Sequence, residues 1–248
     1  MNYEKFAYLY DELMSDAPYE QWVSFVLKII KQTGITNHKL LDVGCGTGNV
    51  AIPLSESGID VTAVDLSDEM LVVAKEKSEA KGVDIKFFQQ DMKELEGLGA
   101  FDIVISLCDS VNYLSNQDEV ATTFQRVYDH LKNNGVFVFD VHSIYKINEI
   151  FNDHTFAHSG EEIAYIWECF AGEWDHSVEH ELSFFIKNRL GLYERFDELH
   201  KQRTYPIKFY KQALERAGFT VEQVTGDFAF DTLAEDSQRW FFVAKKEA

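Results

Sequence analysis

The eleven residues 39–49 read Lys-Leu-Leu-Asp-Val-Gly-Cys-Gly-Thr-Gly-Asn. A short apolar run ends in an acid, three glycines follow at alternating positions, and a helical pattern begins at Asn49. Such a strand–turn–helix corner lets a ligand approach the main chain closely, because glycine lacks a Cβ and tolerates positive φ. A bare glycine-rich turn without ligand has the same local pattern, so the neighbouring segments decide between the two.

From residue 39 onward, strands and helices alternate. Strands are predicted at about 39–43, 60–64, 84–89, 101–106 and 136–140. Helices are predicted at about 48–57, 67–81 and 117–132. Ser67 has the character of an N-cap, with Asp68 and Glu69 on the positive end of the helix dipole. Phe101–Ser106 is almost wholly apolar, as expected of a parallel strand covered on both faces. The alternation implies a doubly wound α/β sheet with right-handed crossovers, and ligands of such sheets bind beyond the carboxyl ends of the strands. Asp42, Asp65, Asp91, Asp109 and Asp140 all fall at or just past a predicted strand end. One loop acid is ordinary; five at one edge suggest a binding rim.

After Ser143 the rhythm changes. Residues 164–171, 177–188 and 192–205 read as three long strands joined by short turns, an antiparallel meander. Pro206 then opens a helix closed by Gly218. Two last strands, at 219–224 and 239–245, flank an acidic loop at 227–238. Before the core, residues 3–14 and 19–33 have helical spacing, with Gly34 as the stop. The expected organisation is one domain over residues 1–248: a helical lid at 1–38, a core at 39–143 and 206–248, and an inserted antiparallel cap at 144–205.

Composition limits the partners. A formal charge of −19 opposes binding to phosphate backbones, so nucleic acid is not expected. No apolar run approaches the roughly 20 residues that span a bilayer. No secretory signal is evident, and three cysteines without metal-ligand spacing suit a reducing cytoplasm. The histidines show no metal constellation. A monomer or homodimer is expected.

Two ligand classes suit the fold. A dinucleotide fingerprint requires G-x-G-x-x-G, whereas this chain has G-x-G-x-G with Asp42 just ahead of it, poorly placed beside a pyrophosphate and well placed beside a cationic amino-acid tail. Asp42–Gly48, Ala63–Leu71, Gln90–Met92, Phe101–Val104 and Leu131–Phe137 together resemble the successive motifs of the class I S-adenosylmethionine-dependent methyltransferases. The resemblance is in register over 39–141 and looser over the last two strands. It implies a Rossmann-like methyltransferase sheet with S-adenosylmethionine as cofactor. Asp65 would then accept the ribose hydroxyls and Asp91 the adenine amino group, with Leu66 and Met92 covering the adenine faces. Gly44 and Gly46 would let the main chain meet the ribose and methionine portions. Leu107 belongs to the segment after the fourth strand.

With its lid and inserted sheet, the chain resembles bacterial small-molecule enzymes of the glycine N-methyltransferase and sugar N,N-dimethyltransferase type. That implies a small polar acceptor, methylated on nitrogen or oxygen, with nitrogen favoured. A non-catalytic S-adenosylmethionine sensor and a nicotinamide-dependent oxidoreductase are the alternatives.

Tyr10 and Trp22 are the expected aromatic neighbours of the sulfonium from the lid, and Tyr113 is expected beneath the acceptor. Some relatives carry histidine at that place, so a general-base role for Tyr113 is doubtful, an unperturbed phenol titrating near pH 10. On the last cap strand His200 and Gln202 face one way, Arg203 and Tyr205 the other. Either face suits the acceptor, with His200 as base or Arg203 as anion binder. His142, after the fifth strand, is a further contact candidate.

Overall fold

A computed structural model describes Asp11, Met14, residues 17–34 and residues 38–248. The helix expected at 3–14 therefore falls almost wholly outside the described residues. Helix α1 (Tyr19–Thr33) carries Trp22, Phe25, Val26, Ile29 and Ile30 as one buried face and ends at Gly34 in the left-handed region. Burying each such side chain contributes about 1.5–3 kcal/mol, which outweighs helix propensity in fixing the helix to the sheet.

The main sheet contains β1 (Lys39–Val43), β2 (Asp60–Asp65), β3 (Lys86–Gln89), β4 (Phe101–Ser106), β5 (Leu131–His142), β10 (Phe219–Gly226) and β11 (Arg239–Lys246). Their order is β10-β11-β5-β4-β1-β2-β3. The five strands from β5 to β3 pair in parallel, and β11 is antiparallel to both neighbours. Helices α2 (Ala51–Glu56), α3 (Asp68–Lys81), α4 (Gln117–His130) and α5 (Ile207–Ala217) complete the two outer layers. One face of the sheet packs on α1 and α2 through Leu40, Ile103, Val138 and Phe241. The other packs on α4 and α5 through Leu41, Val104, Phe137 and Phe242. Because strand side chains alternate, both faces of the central strands are apolar, and β4 is buried along its whole length.

Between β5 and α5 lies a second, antiparallel sheet of β6 (Thr155–Ser159), β7 (Ile163–Ala171), β8 (Ser177–Lys187) and β9 (Tyr193–Arg203). It has four strands where the sequence predicts three. The extra one, β6, reads Thr-Phe-Ala-His-Ser with only Phe156 half-buried, so it lacks the alternation that marks a strand. It is held instead by edge pairing with β7. A short π-helical turn, Lys146–Phe151, packs Ile147 and Phe151 against Cys169 and Val178 beneath this sheet. Elsewhere the differences are at boundaries: α2 starts at Ala51 rather than residue 48, and β5 begins at Leu131, absorbing the Asn133–Gly135 turn as an irregularity opposite β4. No helix of the described residues is long and apolar enough to cross a membrane.

Candidate active site

The carboxyl ends of β1, β2 and β4 open onto a cavity of about 440 Å3. At the end of β1, Gly44 (φ 78) and Gly46 (φ 54) turn in the left-handed region. A Cβ on Gly44 would meet Ser110 at 2.8 Å, whereas Gly46 has no neighbour within 4 Å of that position and leaves the wall open. The loop is hung on β2: Gly44 N and Cys45 N donate to Val64 O at 2.8 and 3.0 Å, and Gly46 N donates to Asp65 Oδ2 at 2.7 Å. Asp65 Oδ1 accepts from Ser67 N at 2.9 Å, at the start of α3, where Ser67 Oγ caps Met70 N. Both carboxylate oxygens are thus fixed by main-chain donors, each with lone-pair capacity to spare. Burial raises the Asp65 carboxyl, and these donors oppose the rise.

Asp42 lies deeper. It is 2% exposed, lines the cavity, and makes no side-chain hydrogen bond among the described residues. Burial, and then the neighbouring Asp65, push its carboxyl up to about 8. A buried carboxylate with no partner is costly unless a cation faces it. Asp11 closes the far side of the loop, accepting from Thr47 Oγ1 and Asn49 Nδ2 and pairing with Lys77 Nζ at 2.5 Å.

Leu66, Met92, Asp91, Leu107 and Tyr113 also line the cavity. Asp91 Oδ1 accepts from Lys93 N at 2.9 Å, and Lys93 Nζ bridges Asp91 and Glu119 at 3.4 and 3.5 Å. Tyr113 stands on a 3-10 turn (Ser110–Tyr113) after β4, and its hydroxyl lies 3.2 Å from Nδ1 of His200 on β9. Burial lowers the imidazole pKa, which the Asp109 carboxylate opposes; desolvation and then Asp109 raise the phenol, although Tyr113 remains 49% exposed at the cavity mouth. The pair is therefore a neutral imidazole beside a neutral phenol at neutral pH.

The structure separates other expected residues from the cavity. Trp22 does not line it. Its indole is buried against Phe228, donates to Asp140 Oδ1 at 3.2 Å and lies 4.9 Å from the Arg239 guanidinium. The face of α1 that buries Phe25 and Val26 carries Trp22 with it, and Tyr19, one turn earlier, reaches the cavity instead. Tyr10 lies outside the described residues. Arg203 projects from the face of β9 opposite His200, stacked between Trp174 and Tyr205 at 5.6 and 4.9 Å, so the expectation of Arg203 in the site is corrected. His142 is buried, 3.3 Å from Asp109, and burial pushes it down to about 4. Of the five rim acids, Asp42, Asp65 and Asp91 face the cavity, whereas Asp109 and Asp140 are held inside a network with Arg239. Cys108 and Ser110, from the segment after β4, also line the cavity, as do Tyr19 and Glu119, which no sequence motif marks.

A doubly wound sheet with this glycine corner defines a Rossmann-like fold with a ligand cavity at the ends of its strands. The model of the methyltransferase domain family matches residues 40–135. A relative from Geobacillus sp. (strain WCH70), named as a methyltransferase, is 54% identical over 99% of this chain and 100% of its own. The glycine/sarcosine N-methyltransferase of Aphanothece halophytica is 28% identical over 98% of this chain and 89% of its own. Among solved structures, a S-adenosylmethionine-dependent methyltransferase from Clostridium acetobutylicum ATCC 824 superposes with a TM-score of 0.90 at 30% identity, covering all of both chains. The chain belongs to the class I S-adenosylmethionine-dependent methyltransferases, and S-adenosylmethionine is its cofactor. The nicotinamide and sensor alternatives fall with that assignment.

Proposed function

We propose that this enzyme methylates a small polar molecule, on nitrogen in preference to oxygen, in a cavity shared by the glycine corner and the second sheet. The observation that carries the reading is the Tyr113–His200 pair, which joins the turn after β4 to β9 on the wall of the same cavity. The name of the Aphanothece relative supports nitrogen as the acceptor atom.

The residues fit the cofactor. Asp42, buried and without a side-chain hydrogen bond among the described residues, suits the cationic methionine portion, and the open wall at Gly46 admits it. Asp65 would take the ribose hydroxyls, Asp91 the adenine amino group, and Leu66, Met92 and Leu107 the apolar faces. When bound, S-adenosylmethionine supplies a methyl group already activated by its sulfonium. The protein's task is to align an acceptor with it, worth up to roughly 7–11 kcal/mol, and to take a proton from a protonated acceptor. His200 is the group for that proton, because its imidazole is neutral at neutral pH. Tyr113 orients the acceptor and relays the proton: its oxygen takes it as its own hydroxyl proton moves to His200 Nδ1, so the phenol ends protonated and His200 cationic. Residues 144–205 act as a substrate cap within one methyltransferase domain of 1–248. The enzyme works in the cytoplasm as a monomer or homodimer, without nucleic-acid or membrane partners.

The test is incubation with radiolabelled methyl donor and a fractionated cytosolic extract. Label in the low-molecular-weight fraction is expected. Label confined to RNA or protein overturns the substrate class.

A further inference from the structure

The carboxyl end of β4 turns through two consecutive non-glycine residues in the left-handed region, Cys108 (φ 55) and Asp109 (φ 57). Such backbone persists only where its surroundings hold it. Here the holding group is the Asp109 carboxylate, gripped from three strands. Arg239 Nη2, on β11, donates at 2.9 Å; Gln202 Nε2, on β9, donates at 2.8 Å; and His142 Nε2, on β5, lies at 3.3 Å. Arg239 also pairs with Asp140, which receives the Trp22 indole of α1. On the other side, Gln202 Oε1 lies 3.2 Å from His180 Nε2, and His180 Nδ1 accepts from Trp167 Nε1 at 3.0 Å. A buried polar chain thus runs from α1 through the main sheet into three strands of the second sheet. Neither Asp109, Arg239 nor Gln202 lines the cavity.

The two halves of the proposed acceptor pair sit on the pieces this chain joins. Tyr113 follows Asp109 on the turn after β4, and His200 precedes Gln202 by two residues on the same face of β9. The Gln202–Asp109 bond ties these pieces directly. Asn112 adds a second tie, donating to Arg203 O at 2.8 Å while accepting from His142 N at 2.9 Å. Gln202 is 5% exposed, and its amide is used at both ends. An apolar residue of similar volume would leave the His180 ring nitrogen and one Asp109 oxygen without this partner, so the amide is held there by its polar contacts and not by packing alone.

We infer that Gln202, gripped by the Asp109–Arg239 pair, is a positioning residue for methyl transfer: it fixes β9 against the turn after β4 so that His200 and Tyr113 meet the acceptor together. The inference rests on the reading of that pair as the acceptor-facing wall. A displacement of about 1 Å at a reacting centre can cost roughly 100-fold in rate.

The experiment compares wild type, Gln202→Leu, Gln202→Met, the outer-face control Lys201→Ala, and His200→Ala with Tyr113→Phe. Each is assayed with labelled donor and the small-molecule fraction that wild type methylates, alongside calorimetric binding of S-adenosylhomocysteine and a thermal melt. For the Gln202 variants, turnover should fall about 30–100-fold. Donor KM and S-adenosylhomocysteine affinity should stay within about twofold while the melt stays cooperative; Lys201→Ala should match wild type. Nitrogen NMR of the His200 ring needs no acceptor and should show the Nδ1 signal moving toward its solvent-exposed value in Gln202→Leu. Wild-type turnover in either folded Gln202 variant overturns the inference. So does an equal loss of donor affinity, or an unchanged His200 signal. If instead His200→Ala and Tyr113→Phe keep full turnover, the acceptor reading fails, and the NMR result still decides whether Gln202 sets the geometry.

Discussion

Placing Asp42 against the cationic portion of the cofactor, as proposed above, makes the site a proton-linked one. Its carboxyl is pushed to about 8 in the free protein, first by burial and then by Asp65. A cationic ligand facing it favours the ionised form, so binding at neutral pH must expel a proton. With a free-state value of about 8, affinity gains approach tenfold per pH unit below that value and level off above it. Between pH 6 and pH 8 the apparent affinity for S-adenosylhomocysteine should rise about 50-fold, or about 2.3 kcal/mol, less where Asp65 shares the titration. Isothermal titration calorimetry at several pH values, in buffers of different ionisation enthalpy, measures both the slope and the released proton. Asp42→Asn should bind more weakly at pH 8 and lose most of the slope. The reasoning is refuted if wild-type affinity is flat from pH 6 to 9, or if the slope survives in Asp42→Asn. Stability of the free protein should run the opposite way. A carboxyl raised on folding contributes most below its unfolded value near 4, and that contribution disappears as pH rises through about 8. The melting temperature of wild type should therefore decline over that window more than that of Asp42→Asn.

Asp65→Ala removes an acceptor whose hydrogen bonds are each worth about 1.5–3 kcal/mol when charged, so S-adenosylhomocysteine binding should weaken by at least about 100-fold in calorimetry; near-normal binding contradicts its assignment. Gly44→Ala places a Cβ 2.8 Å from Ser110 at a positive φ and should cost about 1–3 kcal/mol in urea denaturation. Trp22→Phe leaves Asp140 without its indole donor and should cost a similar amount, about 1–3 kcal/mol, while cofactor affinity is unchanged. A loss of affinity there would return Trp22 to the site.

The core was legible because its signals are local. Leu40–Val43 and Val61–Val64 are mostly apolar runs that end at a glycine or an acid, Phe101–Ser106 is almost wholly apolar, and Ser67 caps α3 as its sequence suggests. The second sheet was legible only where its strands alternate. Thr155–Ser159 is a polar edge strand whose pairing with Ile163–Ala171 leaves no periodic mark. Arg203 and His200 were equally plausible because adjacent strand residues face opposite ways, and sequence does not say which face looks inward. Trp22 shows the same limit for a helix: an aromatic stripe marks a buried face without naming its neighbour. Least legible was the Asp109 network. Its members lie far apart in the chain, on β5, β9, β11 and the turn after β4, and only folding brings Gln202 within 2.8 Å of Asp109.

A crystal structure with S-adenosylhomocysteine tests the central claim most directly. The nucleoside should lie in the cavity at the ends of β1 and β2, with the ribose against Asp65, the adenine between Leu66 and Met92, and the amino-acid portion toward Asp42. Density for the nucleoside at any other place on the molecule, or a cavity that stays empty at saturating ligand, would contradict it.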